Sequence, residues 1–387
     1  MNILLIGLGD SGLDSSDSEP VRRLQEYARR AAGHIDLIVD SPAGGCSDFG
    51  ALTVHRTGTG RVQFLHAAGR LARRAARKNP PDVISSQDPF LTALAGFSLR
   101  RTLRRPLLIQ NHSCFLFNRY WIAERPVLFR ALHTLARFLL PRADAWRVVN
   151  TTERKLYIDK LGLPADRIRV LPVPCNLADF SKDRPDGGAG KIRARWGLPS
   201  GAPVCIWAGR PVRFKRLPLL FRAFAGIRKE YPEARLIVAG RKELAQENLD
   251  RAVRENCLGD AVVWSGGLPH PDLAELFSAA DVFLYPSIYE GFGRVLVEAG
   301  AAGLPAVATA TAGAKDIVDD GCTGFLVPIE DASALARRAC GLLSNPKRRR
   351  TVGAAARKAV PERFDSNKLF DGIVSQWRET AHSGRQP

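Results

Sequence analysis

The stretch Tyr285-Pro286-Ser287-Ile288-Tyr289-Glu290-Gly291-Phe292-Gly293-Arg294-Val295-Leu296-Val297-Glu298-Ala299 decides how this chain folds. Ahead of it, Ala280-Asp281-Val282-Phe283-Leu284 has the apolar run of a short buried strand. Behind it, Gly300-Ala301-Ala302-Gly303-Leu304-Pro305-Ala306-Val307-Ala308 reads as a helix end followed by another strand. The unit is strand, Glu-Gly-Phe-Gly loop, helix, strand, with seven residues between Glu290 and Glu298. In a parallel sheet, ligands collect at the carboxyl ends of the strands, where such loops lie. Gly291 and Gly293 let the backbone come close to a ligand, and the first amides of the next helix point toward it. Two separated carboxylates suit the hydroxyl groups of an extended polar ligand. Taken alone, the pattern also fits an ordinary strand-loop-helix unit with two surface glutamates.

Working outward, Ala208-Gly209-Arg210 follows a second apolar run and precedes Pro211-Val212-Arg213-Phe214-Lys215-Arg216 and a helix. Gly209 permits a tight turn, and the planar guanidinium of Arg210 suits phosphate oxygens. Lys215 adds a positive charge near the helix start. In isolation these are equally well solvated loop charges.

Together these segments resemble the retaining, nucleotide-sugar-dependent glycosyltransferases of family 4, which have the two-domain GT-B fold. The resemblance rests on Ser-x-x-Glu-Gly-Phe-Gly ending at Gly293, on Glu298, and on Ala-Gly-x-Pro-Ala-Val-Ala ending at Ala308. It implies an α/β chain of two Rossmann-like doubly wound domains facing a central cleft. It further implies that Arg210 and Lys215 neutralise the donor diphosphate, that Glu290 holds the sugar and Glu298 the ribose. Gly209, Gly291, Phe292 and Gly293 would complete the donor site, the last three through backbone amides. Retention of configuration, no cofactor and independence from metal are also implied. Base-specific contacts are expected near Gly240-Arg241 and Trp264–Leu268, which do not decide between uracil, guanine and adenine.

The alternation of strands and helices agrees. Strands are expected at 2–7, 35–39, 83–85, 106–110, 144–149 and 168–171, with helices at 21–32, 60–78, 90–102 and 125–140. Ser181–Gly190, polar and rich in Gly and Pro, reads as a linker. The pattern then restarts with strands at 204–208, 236–239, 262–265 and 282–285 and helices at 218–230, 243–255 and 271–279. The expected organisation is a domain over 1–180, a linker over 181–190, a nucleotide-sugar-binding domain over 191–364, and a helix over 365–387. The resemblance implies that this helix crosses back to the first domain.

In the first half, His112 follows a strand and is expected at the cleft edge; the resemblance places it beside the reacting sugar. As a lone histidine it also reads as a structural residue. Asp88, in Gln87-Asp88-Pro89, reads foremost as a helix cap. The first loop departs from the Gly-Gly pair usual in the family and offers Gly9 and Gly12 for approach to the donor. Gly7-x-Gly9-x-x-Gly12, with Asp40 ending the next strand, also matches the dinucleotide fingerprint of a dehydrogenase. That fingerprint needs its third glycine to open the helix, whereas Pro20 marks the helix start here. A sugar-nucleotide epimerase or hydrolase on the same fold is a further alternative.

The 387 residues suffice for two cores, and 45% apolar with 25% charged residues is ordinary for a globular protein. No apolar run approaches the length of a spanning helix, and the N-terminus reads as a strand rather than a signal peptide, so a cytoplasmic location is expected. The 7 cysteines contain no Cys-x-x-Cys pair and argue for reduced thiols rather than disulfides or zinc. The net charge of +18 points to phosphate-bearing partners. With no nucleic-acid-binding signature beside it, nucleic acid is not expected. The remaining readings are solvated basic helices or docking on an anionic membrane surface, which would suit a lipid-linked glycan acceptor. The amphipathic run Leu128–Leu140 reads equally as a bilayer-docking helix or a core helix.

Overall fold

The computed structural model describes every residue except 62, 183–187, 246–247 and 384–387. The chain divides into two compact units, Met1–Val173 with the segment from Ser366 onward, and Pro174–Asp365.

The first unit carries β1 (Ile3–Gly7), β2 (Ile35–Val39), β3 (Gly45–Asp48), β4 (Leu52–Arg56), β5 (Val83–Ser86), β6 (Leu107–Asn111), β7 (Ala145–Val148) and β8 (Ile168–Val170). They form one sheet in the order β3-β4-β2-β1-β5-β6-β7-β8, parallel except for β3 against β4. β1 is Ile-Leu-Leu-Ile because both faces of a central parallel strand are covered, and all its residues are buried. From β1 the chain winds outward to one side and then, at β5, returns to the other. The loops after β1 and β5 therefore flank a topological switch point, where doubly wound sheets bind ligands.

The helix Ser366–Ser383 belongs to this unit. Tyr27 meets Phe370 and Trp377 edge-on at centroid distances of 4.9 and 5.3 Å. The Trp377 indole donates to Ser85 Oγ at 3.1 Å, and Gln376 Nε2 donates to the Trp146 carbonyl at 2.8 Å. These bonds satisfy polar groups that would otherwise be buried without partners.

The second unit carries β9 (Val204–Ala208), β10 (Arg235–Ala239), β11 (Val262–Trp264), β12 (Val282–Tyr285), β13 (Ala306–Thr309) and β14 (Gly324–Val327). Its sheet runs β11-β10-β9-β12-β13-β14, with parallel pairing throughout. The switch point here lies between β9 and β12. Trp207, Phe221, Phe224, Leu236 and Leu335 fill the core on one side of the sheet.

Several expectations need correction. The hairpin of β3 and β4 has no counterpart in the sequence reading, because Gly45-Cys46-Ser47-Asp48 forms an edge strand that is mostly exposed and shows no apolar alternation. The short helices Arg119–Glu124 and Thr151–Leu161, and β14 with the helices that flank it, were likewise not expected. The helix expected at 60–78 begins only at Phe64. The one expected over 243–255 spans Leu249–Glu255, where Asn248 accepts from the Arg251 amide at 3.0 Å and caps it. In the expected linker, 183–187 lie outside the described residues, and the helix Gly188–Arg195 occupies its end.

Candidate functional site

In the second unit the loops after β9 and β12 meet. Ile288 N donates to the Phe214 carbonyl at 2.9 Å, and the Phe214 and Tyr289 rings stack at 4.9 Å. This contact brings Lys215, from the first loop, against Glu290, from the second. The two form an ion pair through Glu290 Oε2, with side-chain exposures of 12% and 19%. Tyr285, the last residue of β12, donates to the same oxygen at 2.8 Å. Burial, and then the neighbouring Glu290 charge, push the Tyr285 phenol well above its ordinary pKa, so it remains a donor. Among the described residues no partner contacts Glu290 Oε1, which leaves one oriented acceptor for a ligand hydroxyl.

The backbone of this loop is equally determined. Gly313 N donates to the Glu290 carbonyl at 3.1 Å. A Cβ on Gly313 would lie 2.2 Å from the Phe292 carbonyl oxygen, closer than any side chain tolerates. Gly293 precedes the helix Arg294–Ala301 with φ of +93°, a conformation that favours glycine, and a Cβ there would lie 3.1 Å from the Tyr285 hydroxyl. The Phe292 side chain is buried against Phe364, so the residue offers a ligand only its backbone. Gly291 lies between it and Glu290. Glu298, in the helix, is buried, and His270 Nε2 approaches its carboxylate to 4.0 Å. Glu290 and Glu298 thus act from separate surroundings.

Gly209, with φ of +145°, closes β9 while its amide donates to the Ala239 carbonyl at 2.9 Å. Arg210 next to it is exposed, and its guanidinium has no hydrogen bond or ion pair among the described residues. An arginine held by nothing, one residue beyond a tight turn at a switch point, is available to an anion. The set offers two cations and helix-terminal amides to an anion, and two carboxylate acceptors to hydroxyl groups.

In the first unit, His112 directly follows β6. Burial, and then the charges of Arg147 and Arg23, lower its pKa to about 3, so the imidazole is neutral at physiological pH. Its Nδ1 is buried without a hydrogen-bond partner. Behind it, Asn111 Nδ2 bonds the Glu153 carboxyl and donates to the Tyr157 hydroxyl at 3.0 Å, fixing the end of β6. Gly9 (φ +77°) donates its amide to the Asp40 carboxylate, while a Cβ added to Gly12 (φ +75°) would lie 3.3 Å from the Pro20 ring. The helix begins at Glu19, capped by Ser18, so Gly12 does not open it and the dinucleotide fingerprint lacks its geometry. Asp88 Oδ1 accepts from Phe90 N at 2.7 Å, a turn-closing role short of the helix N-cap.

Sequence reasoning missed Tyr285, Gly313 and His270. Only Tyr285 carried a signal, as the polar residue ending an otherwise apolar strand.

A family profile described as Glycosyl transferases group 1 matches residues 189–359, and one described as Glycosyltransferase Family 4 matches residues 21–179. The chain is 35% identical over 314 residues to a D-inositol 3-phosphate glycosyltransferase of Kineococcus radiotolerans, covering 76% of this chain and 70% of that one. It is 32% identical over 272 residues to a GDP-mannose-dependent alpha-(1-6)-phosphatidylinositol monomannoside mannosyltransferase of Mycolicibacterium smegmatis, covering 68% of each. Against three further D-inositol 3-phosphate glycosyltransferases it spans 64%, 58% and 52% of the relative's length. Among solved structures, sucrose-phosphate synthase from Thermosynechococcus elongatus superposes with a TM-score of 0.82 at 24% identity, covering 99% of this chain and 100% of that one.

Proposed function

We propose a mechanism from one premise: the chain belongs to glycosyltransferase family 4 and has the GT-B fold. In this reading it moves a sugar from a nucleoside-diphosphate sugar to a hydroxyl of a glycan or lipid-linked acceptor, with retention and without a metal. The observation that carries it is the convergence of Lys215, Tyr285 and Glu290 at the switch point between β9 and β12.

As the bond from the sugar to the diphosphate breaks, negative charge grows on the leaving phosphate. Arg210 and Lys215 stabilise that charge, and the amides at the start of the helix Arg294–Ala301 add to it. Two cations, Lys215 held against Glu290 and Arg210 free to turn to an anion, supply what a divalent ion would otherwise provide. Glu290, oriented by Tyr285 and Lys215, accepts a hydroxyl of the donor sugar through Oε1. Glu298 accepts from the ribose, and Gly291, Phe292 and Gly293 present backbone amides to sugar and phosphate.

His112 is a neutral hydrogen-bonding group for the reacting sugar rather than a charged acid. The acceptor hydroxyl attacks the anomeric carbon on the face that the diphosphate leaves, and a departing phosphate oxygen takes its proton. The catalysis is then positioning and charge stabilisation. Gly9 and Gly12, both at positive φ, shape the loop after β1. Cytoplasmic location, peripheral on an anionic membrane face, fits the basic charge and a lipid-linked acceptor. Among the described residues no helix is long and apolar enough to cross a membrane.

The test is a screen of UDP-, GDP- and ADP-sugars for nucleoside diphosphate release in excess EDTA, with the product's anomeric configuration read by NMR. Release with a retained anomeric centre supports the reading. Release only after magnesium is restored, or an inverted product, overturns its mechanism.

A further inference from the structure

The helix Pro126–Leu139 is apolar on two faces, and only one of them is used. It buries Ala136 and Leu139 against the first unit, and Phe129 stacks on Trp121 at 4.3 Å. Val127, Ala131, Thr134 and Phe138 recur at helical spacing on the side away from those residues. Val127 is 85% exposed and Phe138 50% exposed, with Leu128 beside them at 47%. Arg130 and Arg137, both exposed, line one edge of this stripe. A solvated helix face normally carries charge along its centre, whereas here the charge lies only at the border.

The stripe adjoins a basic depression. Arg100, Arg101, Arg104, Arg142 and Arg167 line an open groove of about 740 Å³ at the amino-terminal edge of the sheet, remote in topology from His112 at the carboxyl end of β6. Asp144, the one acidic residue in its lining among the described residues, is already engaged by Arg100 at 2.7 Å and by the Leu107 amide at 2.8 Å. The side chains of Arg101, Arg104 and Arg167 make no ion pair among the described residues. Arg142 joins the two features, its guanidinium lying 3.7 Å from the Phe138 ring centroid.

We infer that this surface docks on a bilayer of anionic phospholipid: the outer face of Pro126–Leu139 lies at the boundary of headgroups and acyl chains, and the arginine groove takes lipid phosphates. Charge complementarity selects this occupant, because an apolar stripe bordered by guanidinium groups matches an anionic interface in both of its layers. A second copy of the chain would bring positive charge against positive charge, and a nucleic acid would leave the apolar stripe uncovered. The inference deepens the peripheral-membrane part of the proposed function and rests on it, and it uses none of the second unit's donor-site residues.

The full chain is sedimented with vesicles of phosphatidylcholine alone and of equal parts phosphatidylcholine and phosphatidylglycerol. Binding is expected only to the anionic vesicles. It should fall roughly 10-fold or more in Arg101→Glu/Arg104→Glu and in Val127→Asp/Phe138→Asp, and persist in Arg101→Lys/Arg104→Lys. All these side chains are exposed, so the variants should fold, as circular dichroism and nucleoside diphosphate binding will verify. Equal binding to both vesicle types, or unchanged binding in either disruptive pair, overturns the inference. So does complete competition by millimolar inorganic phosphate, which would make the groove a site for free phosphate. None of these results bears on nucleotide binding by the second unit.

Discussion

Tyr285 donates its hydroxyl hydrogen to Glu290 at 2.8 Å, on the same carboxylate oxygen that pairs with Lys215. One oxygen of Glu290 is thereby held by the protein and the other is presented. The carboxylate is oriented before any ligand arrives, the condition under which electrostatic groups lower a barrier most effectively. Removing Tyr285 should loosen this orientation without removing charge. We expect Tyr285→Phe to lower kcat roughly 10-fold, whereas Glu290→Gln should lower it about 100- to 1,000-fold, with nucleoside diphosphate affinity little changed in both. Steady-state kinetics on the donor found by screening, with calorimetry of the bare nucleotide, would check this.

Lys215 should behave differently, because its charge faces the leaving group as well as Glu290. Lys215→Ala is expected to weaken diphosphate binding and to lower kcat by about 100-fold or more, with Lys215→Arg restoring part of the binding but not the geometry. Equal nucleotide affinity in Lys215→Ala and wild type would remove the residue from the donor site.

Gly313 is a structural condition of the same loop. A methyl group there meets the Phe292 carbonyl oxygen at 2.2 Å. Gly313→Ala should therefore displace the Glu290–Gly293 backbone, lower the melting temperature and abolish nucleotide-induced stabilisation. A variant that melts and binds like wild type would contradict the close packing described here.

The neutral state of His112 has a thermodynamic consequence. An unfolded histidine takes up its proton near pH 6.5, while the folded residue does so only at about 3. Between these values the unfolded chain holds the extra proton, so this residue costs stability progressively as pH falls from about 6.5 toward 3. His112→Gln should lose less stability than wild type between pH 7 and about 5 in denaturant titrations. An imidazole NMR signal titrating near pH 6.5 would refute the burial argument.

How much of this was legible in the sequence varies with the range of the interaction. Glu290, Gly291, Gly293 and Glu298 stand in one short segment whose spacing implied a loop and a helix, and the fold places them so. Lys215 and Arg210 were legible as cations after a strand. That Lys215 reaches Glu290 depends on β9 lying beside β12, an adjacency no local pattern encodes. Gly313 was invisible for the same reason, since its constraint comes from a carbonyl in another loop. The edge strand β3 was missed because an exposed strand has no buried face to impose a period. The run Leu128–Leu140 was ambiguous between core and surface because both faces of the helix are apolar, and only the buried positions of Ala136 and Leu139 show which face is inward.

The most direct test is calorimetric titration of wild type and Glu298→Ala with UDP, GDP and ADP, in EDTA and then with magnesium. We expect one nucleoside diphosphate to bind without metal, with affinity lowered about 10- to 100-fold in the variant, as suits the loss of a hydrogen bond to a charged group. Binding of none, or binding indifferent to Glu298, would contradict the assignment of the second unit as the site that holds the donor.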